Sequence, residues 1–332
     1  MLRTRICELL GIRYPIVNAP MSGTATAGLA IAVSEGGGFG LIGGTTSNGP
    51  DWLRAQIRIA KERTARPFGV GFISSFPGLD DLVWVALEER VAAISHSFAD
   101  PTPYVVAAHA AGVKILAQVQ TVAQAKIAAL AGVDVITAQG SDAGGHTGYV
   151  GTFSMVPAVV EVAGDIPVLA AGGIADGRGL AAALLLGAEG AWIGTRFVAS
   201  REGAIAGWVK ERIVGASTDD TVLTHAYDLT FESPFPAGIG DRVLRNDFTS
   251  AWHDRDEDVV ARREELRREV TTAMESGNAR VAPARAGSAS GLIHGIEPAA
   301  DIIWRIVTDA EEILRSRPAR LLGEQSGRND GN

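Results

Sequence analysis

Between residues 14 and 197, short runs of apolar and β-branched residues alternate with alanine-rich stretches of helical length, and no other feature constrains this chain as much. The apolar runs lack polar alternation, so the strands they form are covered on both faces, the condition of a parallel sheet wrapped in helices. Eight runs qualify: Ile16 to Ala19, Gly38 to Ile42, Pro67 to Phe72, Val91 to Ser95, Lys114 to Val119, Val133 to Ala138, Pro167 to Ala171 and Gly190 to Gly194. Gly112, Gly132 and Gly187 each stand where a helix hands over to the next strand, and glycine there takes the left-handed cap conformation at no steric cost. Eight strands with seven intervening helical segments predict an α/β fold, a (β/α)8 TIM barrel, with a doubly wound open sheet as the rival arrangement.

After Phe197 the texture changes, and the chain divides. Residues 1–214 with 287–316 are assigned to the barrel, Gly203 to Val214 supplying a helix after strand eight. Residues 215–286 are assigned to an inserted, α-rich cap or substrate-side segment over the barrel mouth; a solvated face packed on the barrel side is the alternative. Within it Val259, Leu266, Val270 and Met274 are expected on one helical face. A further helix is expected within Gly291 to Leu314, and residues 317–332, most polar from Gly323 onward, read as a disordered tail.

The formal net charge of -8 argues against a nucleic-acid partner, since phosphate neutralisation needs a basic face. Cys7 is the single cysteine, which excludes an intrachain disulfide and a thiolate metal cluster. His109, His225, His253 and His294 show no paired spacing with carboxylates, so no metal is expected. Met1 to Leu10 carries Arg3, Arg5 and Glu8 and no unbroken apolar core, which reads against a secretory leader, and the apolar runs are too short to span a bilayer. The expectation is a cytoplasmic protein without membrane contact, and a homodimer is a possible assembly.

In a barrel the active face is built from the strand ends and the loops after them. The richest such loop runs Gln139-Gly140-Ser141-Asp142-Ala143-Gly144-Gly145-His146-Thr147-Gly148, where a proton-transfer side chain sits among glycines that let the backbone approach a flat or anionic group. Gly172-Gly173 after strand seven and Gly194-Thr195 after strand eight offer amides and a hydroxyl at the place where such barrels hold a phosphate. Neither a GxGxxG fingerprint after strand one nor a P-loop is present, which disfavours a Rossmann dinucleotide site and leaves flavin mononucleotide consistent with the pattern. Gln118 and Gln139 could donate to a flavin edge or satisfy buried backbone. His96, on the extension of strand four, is a candidate substrate contact or a local hydrogen-bonding residue.

These residues resemble the nitronate monooxygenase family, formerly 2-nitropropane dioxygenases, FMN-dependent barrels that are also similar to the FMN-dependent enoyl-acyl-carrier-protein reductase II. The resemblance is carried by Tyr14-Pro15-Ile16-Val17-Asn18-Ala19-Pro20-Met21, by Gly140 to His146, by Ala171-Gly172-Gly173-Ile174-Ala175-Asp176-Gly177, by Gly194-Thr195-Arg196-Phe197 and by Gly287 to Ile293. It implies that Ala19, Pro20 and Met21 lie against the isoalloxazine, that Gly172, Gly173, Gly194 and Thr195 bind the FMN phosphate, and that His146 is the catalytic base. Asn18, Thr45, Gly140, Gly145 and Ala171 complete the expected cofactor contacts, and Ser288 joins His96 as a candidate substrate contact. Gly71 departs from the pattern, standing where relatives commonly carry an amide near the flavin.

The expected activity is oxidation of alkyl nitronates or nitroalkanes to carbonyl compounds and nitrite, with dioxygen and a small-molecule substrate as partners. An NAD(P)H-dependent enoyl-thioester reductase is the alternative on the same scaffold. A non-catalytic phosphate-ligand binding barrel is the alternative of another class, by fold analogy alone.

Overall fold

The computed structural model describes residues 2–323. Its strands are β1 (Ile16–Asn18), β2 (Gly40–Gly44), β3 (Phe68–Ile73), β4 (Ala93–Ser97), β5 (Lys114–Val119), β6 (Val135–Gln139), β7 (Gly145–Thr147), β8 (Val168–Ala171), β9 (Gly190–Ile193), β10 (Thr221–Thr224) and β11 (Gly240–Leu244). Eight of them form one parallel sheet in the order β1-β9-β8-β6-β5-β4-β3-β2, and a parallel bridge between Val17 and Phe39 brings its two ends together. All eight expected runs are therefore strands of a (β/α)8 barrel.

Three strands, β2, β4 and β6, begin two residues later than their apolar runs. The reason is visible at Arg90 and Gly132, both at positive φ. There the following valine is still tied to the helix, Val91 N–H donating to Ala86 O and Val133 N–H to Ala128 O, both at 3.3 Å. This closing bond of a Schellman cap uses the valine as the cap's apolar residue before the strand starts.

The seam between β1 and β2 is closed by a side chain. Asn18, fully buried, donates from Nδ2 to Leu41 O at 2.9 Å and accepts from Leu41 N–H at 2.8 Å, so one amide satisfies the backbone of the neighbouring strand. A second Nδ2 bond goes to Ala19 O. The N-terminal helix Arg5–Leu10 plugs the barrel from below, placing Ile6 and Leu10 in the interior cluster with Val17, Phe39, Leu116, Leu169 and Trp192. The outer ring is completed by the helix Ala299–Leu321, packed against the helices Gly177–Leu185 and Ala27–Glu35.

The stretch between β9 and that last helix is not only helical. β10 and β11 pair antiparallel, and β11 also pairs with β7, so a three-stranded sheet is shared between the inserted segment and the loop that carries His146. Val222, Tyr227, Val243, Phe248, Trp252, Val259, Leu266 and Val270 form a separate core there. Met274 does not join it: the helix breaks between Ala261 and Arg263, the register shifts, and Ala273 is buried while Met274 is 53% exposed. Residues 317–321 are helical, contrary to the expected tail, and the remainder of that tail from residue 324 lies outside the described residues. Among the described residues no helix is long and apolar enough to cross a membrane.

Replacing Asn18 by leucine strips the Leu41 N–H and C=O of their partners in a dry seam. The expected loss is about 2–4 kcal/mol of unfolding free energy, read from the urea midpoint at constant slope.

Candidate active site

At the C-terminal ends of the barrel strands lies a small, partly open cavity. Its wall contains Ala19, Gln118, Gln139, Ala171, Gly172, Gly173, Gly194 and Thr195 from the residues expected at a cofactor, together with Asp142, Ala143, Gly144, Ile174, Trp192, Gly287 and Ala289. Gly172 and Gly173 have φ of 102° and 73°, a conformation that L side chains rarely adopt. A Cβ on Gly172 would sit 2.9 Å from Ala143 N and Gly140 O. Glycine here is thus required by backbone geometry, and both residues line the cavity.

Thr195 begins a single helical turn after Gly194; its Oγ1 accepts from Gly287 N–H at 2.9 Å, leaving its hydroxyl proton to donate. The Gln118 side chain is on the wall, and the buried Trp192 Nε1 has no hydrogen-bond partner among the described residues. An orphaned donor on a wall lined by glycines fits a ligand that carries hydrogen-bond acceptors.

The loop after β6 is held by Asp142, whose Oδ2 accepts from Thr152 N–H at 2.8 Å and whose backbone O accepts from Ser288 N–H at 3.1 Å. Burial pushes its carboxyl upward, but the bonds from Thr152 and the charge of Arg242 hold it below the ordinary carboxylate value. Gln139 spends its amide on the same loop, donating to His146 O at 3.1 Å and accepting from Gln120 at 2.9 Å.

His146 itself is the middle residue of β7, opposite Asp241 of β11. Its Nε2 lies 2.9 and 3.1 Å from the two carboxylate oxygens of Asp228, and both side chains are 11% exposed. Phe235 stacks on the imidazole with centroids 3.4 Å apart and planes 11° from parallel, while Phe98, at φ 67°, presents an edge at 6.4 Å. Phe76 and Phe98 both meet Phe235 edge-on, so three loops contribute one aromatic wall. Donor atoms of His146, Asp228 and Asp241 all lie within 4.8 Å of one another, but Asp241 is already paired with Arg285 at 2.9 Å, and a cation there would face that guanidinium.

Several expected contacts are placed elsewhere. His96 lies on β4 itself and faces out of the barrel. It is 1% exposed, stacks on Tyr104 at 4.6 Å and bonds Ser74 Oγ through Nδ1 at 2.8 Å, and it is not on the cavity wall. Ser288 bonds the carbonyl of Asp142 instead of lining the cavity. Asn18 spends its side-chain amide on the seam, and Pro20, Met21, Thr45, Gly140 and Gly145 are not on the cavity wall. The absence of a side chain at Gly71 is explained by Pro20, which would lie 2.2 Å from a Cβ there. Gly144 is needed for a backbone crossing, since its Cβ would fall 2.4 Å from Gly287 N. His109 pairs with Asp134 at 3.0 Å and His225 with Tyr149 at 2.8 Å, both on the surface.

Asp228, Phe98 and Phe235 carry no local sequence signal of a site. Asp228 is an ordinary acid on a short helix, and Phe235 sits inside the Pro-rich breaker Ser233-Pro234-Phe235-Pro236. Asp142, by contrast, stood in the glycine-rich loop beside His146.

A glycine-walled cavity at the C-terminal face, with a carboxylate-held histidine two residues along the chain from its wall, has the layout of a (β/α)8 barrel enzyme. The family model for nitronate monooxygenase matches residues 3–83 and 72–309. The nitronate monooxygenase of Pseudomonas aeruginosa is 33% identical over 288 residues, covering 72% of this chain and 80% of that protein. A (3aS,4S,5R,7aS)-5-hydroxy-7a-methyl-1-oxo-octahydro-1H-indene-4-carboxyl-CoA dehydrogenase of Mycobacterium tuberculosis is 37% identical over 248 residues, 74% of this chain and 67% of that protein. The structure of FabK from Thermotoga maritima superposes with a TM-score of 0.87 at 38% identity, covering 98% of this chain and all of that one. The chain belongs to the nitronate monooxygenase family and is an oxidoreductase; its family and structural neighbours are generally flavin-dependent.

Burial pushes the His96 imidazole down to about 4. Because the unfolded chain binds that proton more readily, His96 contributes its stability in full above about pH 6.5, and that contribution fades as pH falls toward 4, by up to about 3 kcal/mol. Urea midpoints measured from pH 7.5 to 4.5 should therefore fall less steeply for His96→Gln than for the parent.

Proposed function

We propose that the protein oxidises alkyl nitronates, and nitroalkanes once deprotonated, to carbonyl compounds and nitrite with dioxygen, using FMN at the barrel mouth and His146 as the base. The observation that supports this most is the setting of His146: 11% exposed, fixed by Asp228 and roofed by Phe235, and two residues along the chain from Gly144 of the cavity wall. In that position Gly172, Gly173 and Gly194 amides with the Thr195 hydroxyl would hold the phosphate, and Gln118 the polar edge of the ring system.

FMN, when bound, supplies the electron transfer between nitronate and dioxygen. The chain's own share is the proton. His146 takes it from the carbon next to the nitro group, and the charge left behind is shared by the nitro oxygens. Phe76, Phe98 and Phe235 exclude water from the imidazole face and offer an apolar surface to the substrate's carbon substituent. A preformed nitronate has already lost this proton and needs His146 only for placement.

An NAD(P)H-dependent enoyl-thioester reductase is the second reading, favoured by the likeness to FabK, an enoyl-acyl-carrier-protein reductase II. Anaerobic mixing of the purified, flavin-loaded protein with NADH separates the two. A flavin inert to NADH but bleached by a nitronate supports the oxygenase, and rapid bleaching by NADH overturns it in favour of the reductase.

For His146→Asn, kcat/KM with neutral nitroethane is expected to fall by about 10²-fold or more, the range of a lost general base, with a much smaller loss on preformed ethyl nitronate. Gly172→Ala should purify with less bound cofactor than the parent, read from the visible flavin bands and from FMN released on denaturation, because its Cβ closes the turn against Ala143.

A further inference from the structure

The imidazole of His146 touches one carboxylate, and the geometry of that contact has a chemical consequence. Asp228 is the third residue of the helix Ala226–Phe231, which is anchored by the buried Tyr227 and by Ser233 N–H donating to Asp228 O at 3.0 Å. Both of its oxygens address the same nitrogen, Nε2, at 2.9 and 3.1 Å. The other nearby carboxylate, Asp241, accepts from Arg285 Nε at 3.1 and 3.0 Å and is bridged by Nη2 at 2.9 Å, so it is already neutralised. No hydrogen bond is made by His146 Nδ1 among the described residues, and Phe235 stacked at 3.4 Å opposes rotation of the ring out of its plane.

We propose that Asp228 is the positioning residue of His146: it fixes the proton of the neutral imidazole on Nε2 and so makes Nδ1 the atom that accepts the substrate proton. An ionised carboxylate accepts hydrogen bonds and donates none, so the nitrogen facing it carries hydrogen. Neutral imidazole has one such hydrogen, which leaves the lone pair on Nδ1. When Nδ1 takes a proton from the carbon acid, the C–H electron pair stays with the substrate, and the imidazolium formed lies against the charge of Asp228. The same logic of tautomer and charge operates in hydrolytic triads, with the two ring nitrogens exchanged. This rests on His146 acting as the base, as proposed above, but it can be decided without turnover.

The test is ¹⁵N-histidine NMR of the flavin-loaded protein at neutral pH, with the His146 signals assigned among the six histidines by their loss in His146→Asn. The expected result is a protonated Nε2 and an unprotonated Nδ1. A proton on Nδ1 in the parent would overturn the proposal whatever the protein turns over. In Asp228→Asn the amide can donate to Nε2, so the Nδ1–H tautomer should appear, whereas Asp228→Glu should keep the parent tautomer. Turnover gives the second readout. Asp228→Asn is expected to lose about 10²-fold or more in kcat on neutral nitroethane and less than about threefold on ethyl nitronate. Equal losses on both substrates, or none on either, would count against a positioning role. If the parent turns over neither substrate, the nitronate reading fails while the tautomer still decides this one.

Discussion

The C-terminal face of the barrel is organised by a place where two backbones cross, Gly144 against Gly287. Neither position tolerates a Cβ, which would fall 2.4 Å from a backbone atom of the other strand of chain. From that crossing, residues 284–288 act as a clasp. Gly287 N–H reaches Thr195 after β9, Ser288 N–H reaches Asp142 after β6, Leu244 N–H at the end of β11 reaches Ala284 O, and Arg285 takes Asp241. Four pieces of chain far apart in sequence are thereby set against one another, two of them through the cavity wall.

The clasp also explains why a barrel needs the segment inserted before its last helix. The barrel alone offers a glycine-lined cradle and a loop bearing His146, but that loop would expose its backbone to water. β11 satisfies β7, and the helix and loop that accompany β11 bring Asp228 and Phe235 to the imidazole. The inserted segment has its own apolar core around Tyr227, Phe248 and Trp252, which keeps those two side chains in place without drawing on the barrel's packing.

Much of the fold was legible because its signals are local. A strand covered on both faces reads as an unbroken apolar run, and a Schellman cap reads as a glycine between helix and strand. The cradle glycines were legible for the same reason, since positive φ at Gly172 and Gly173 follows from the turn itself. The same double burial that reveals a strand conceals which of its faces is which: His96 turns outward onto Tyr104, while its neighbour Ser95 faces inward near Gly71. The three-stranded sheet was not legible, because β7 has three residues and its partner β11 lies far along the chain. Gly71 was visible as a departure, but only the packed chain shows Pro20 in the space an amide would need.

By itself, then, the sequence determined the eight strands, the glycine turns at the cavity and a histidine in the glycine-rich loop after the sixth strand, because each follows from a few adjacent residues. Tertiary structure decided what that histidine can do. Its carboxylate, its aromatic roof and the backbone crossing that aims its loop come from segments whose approach is set by packing over the whole chain, and no short window of residues contains that information.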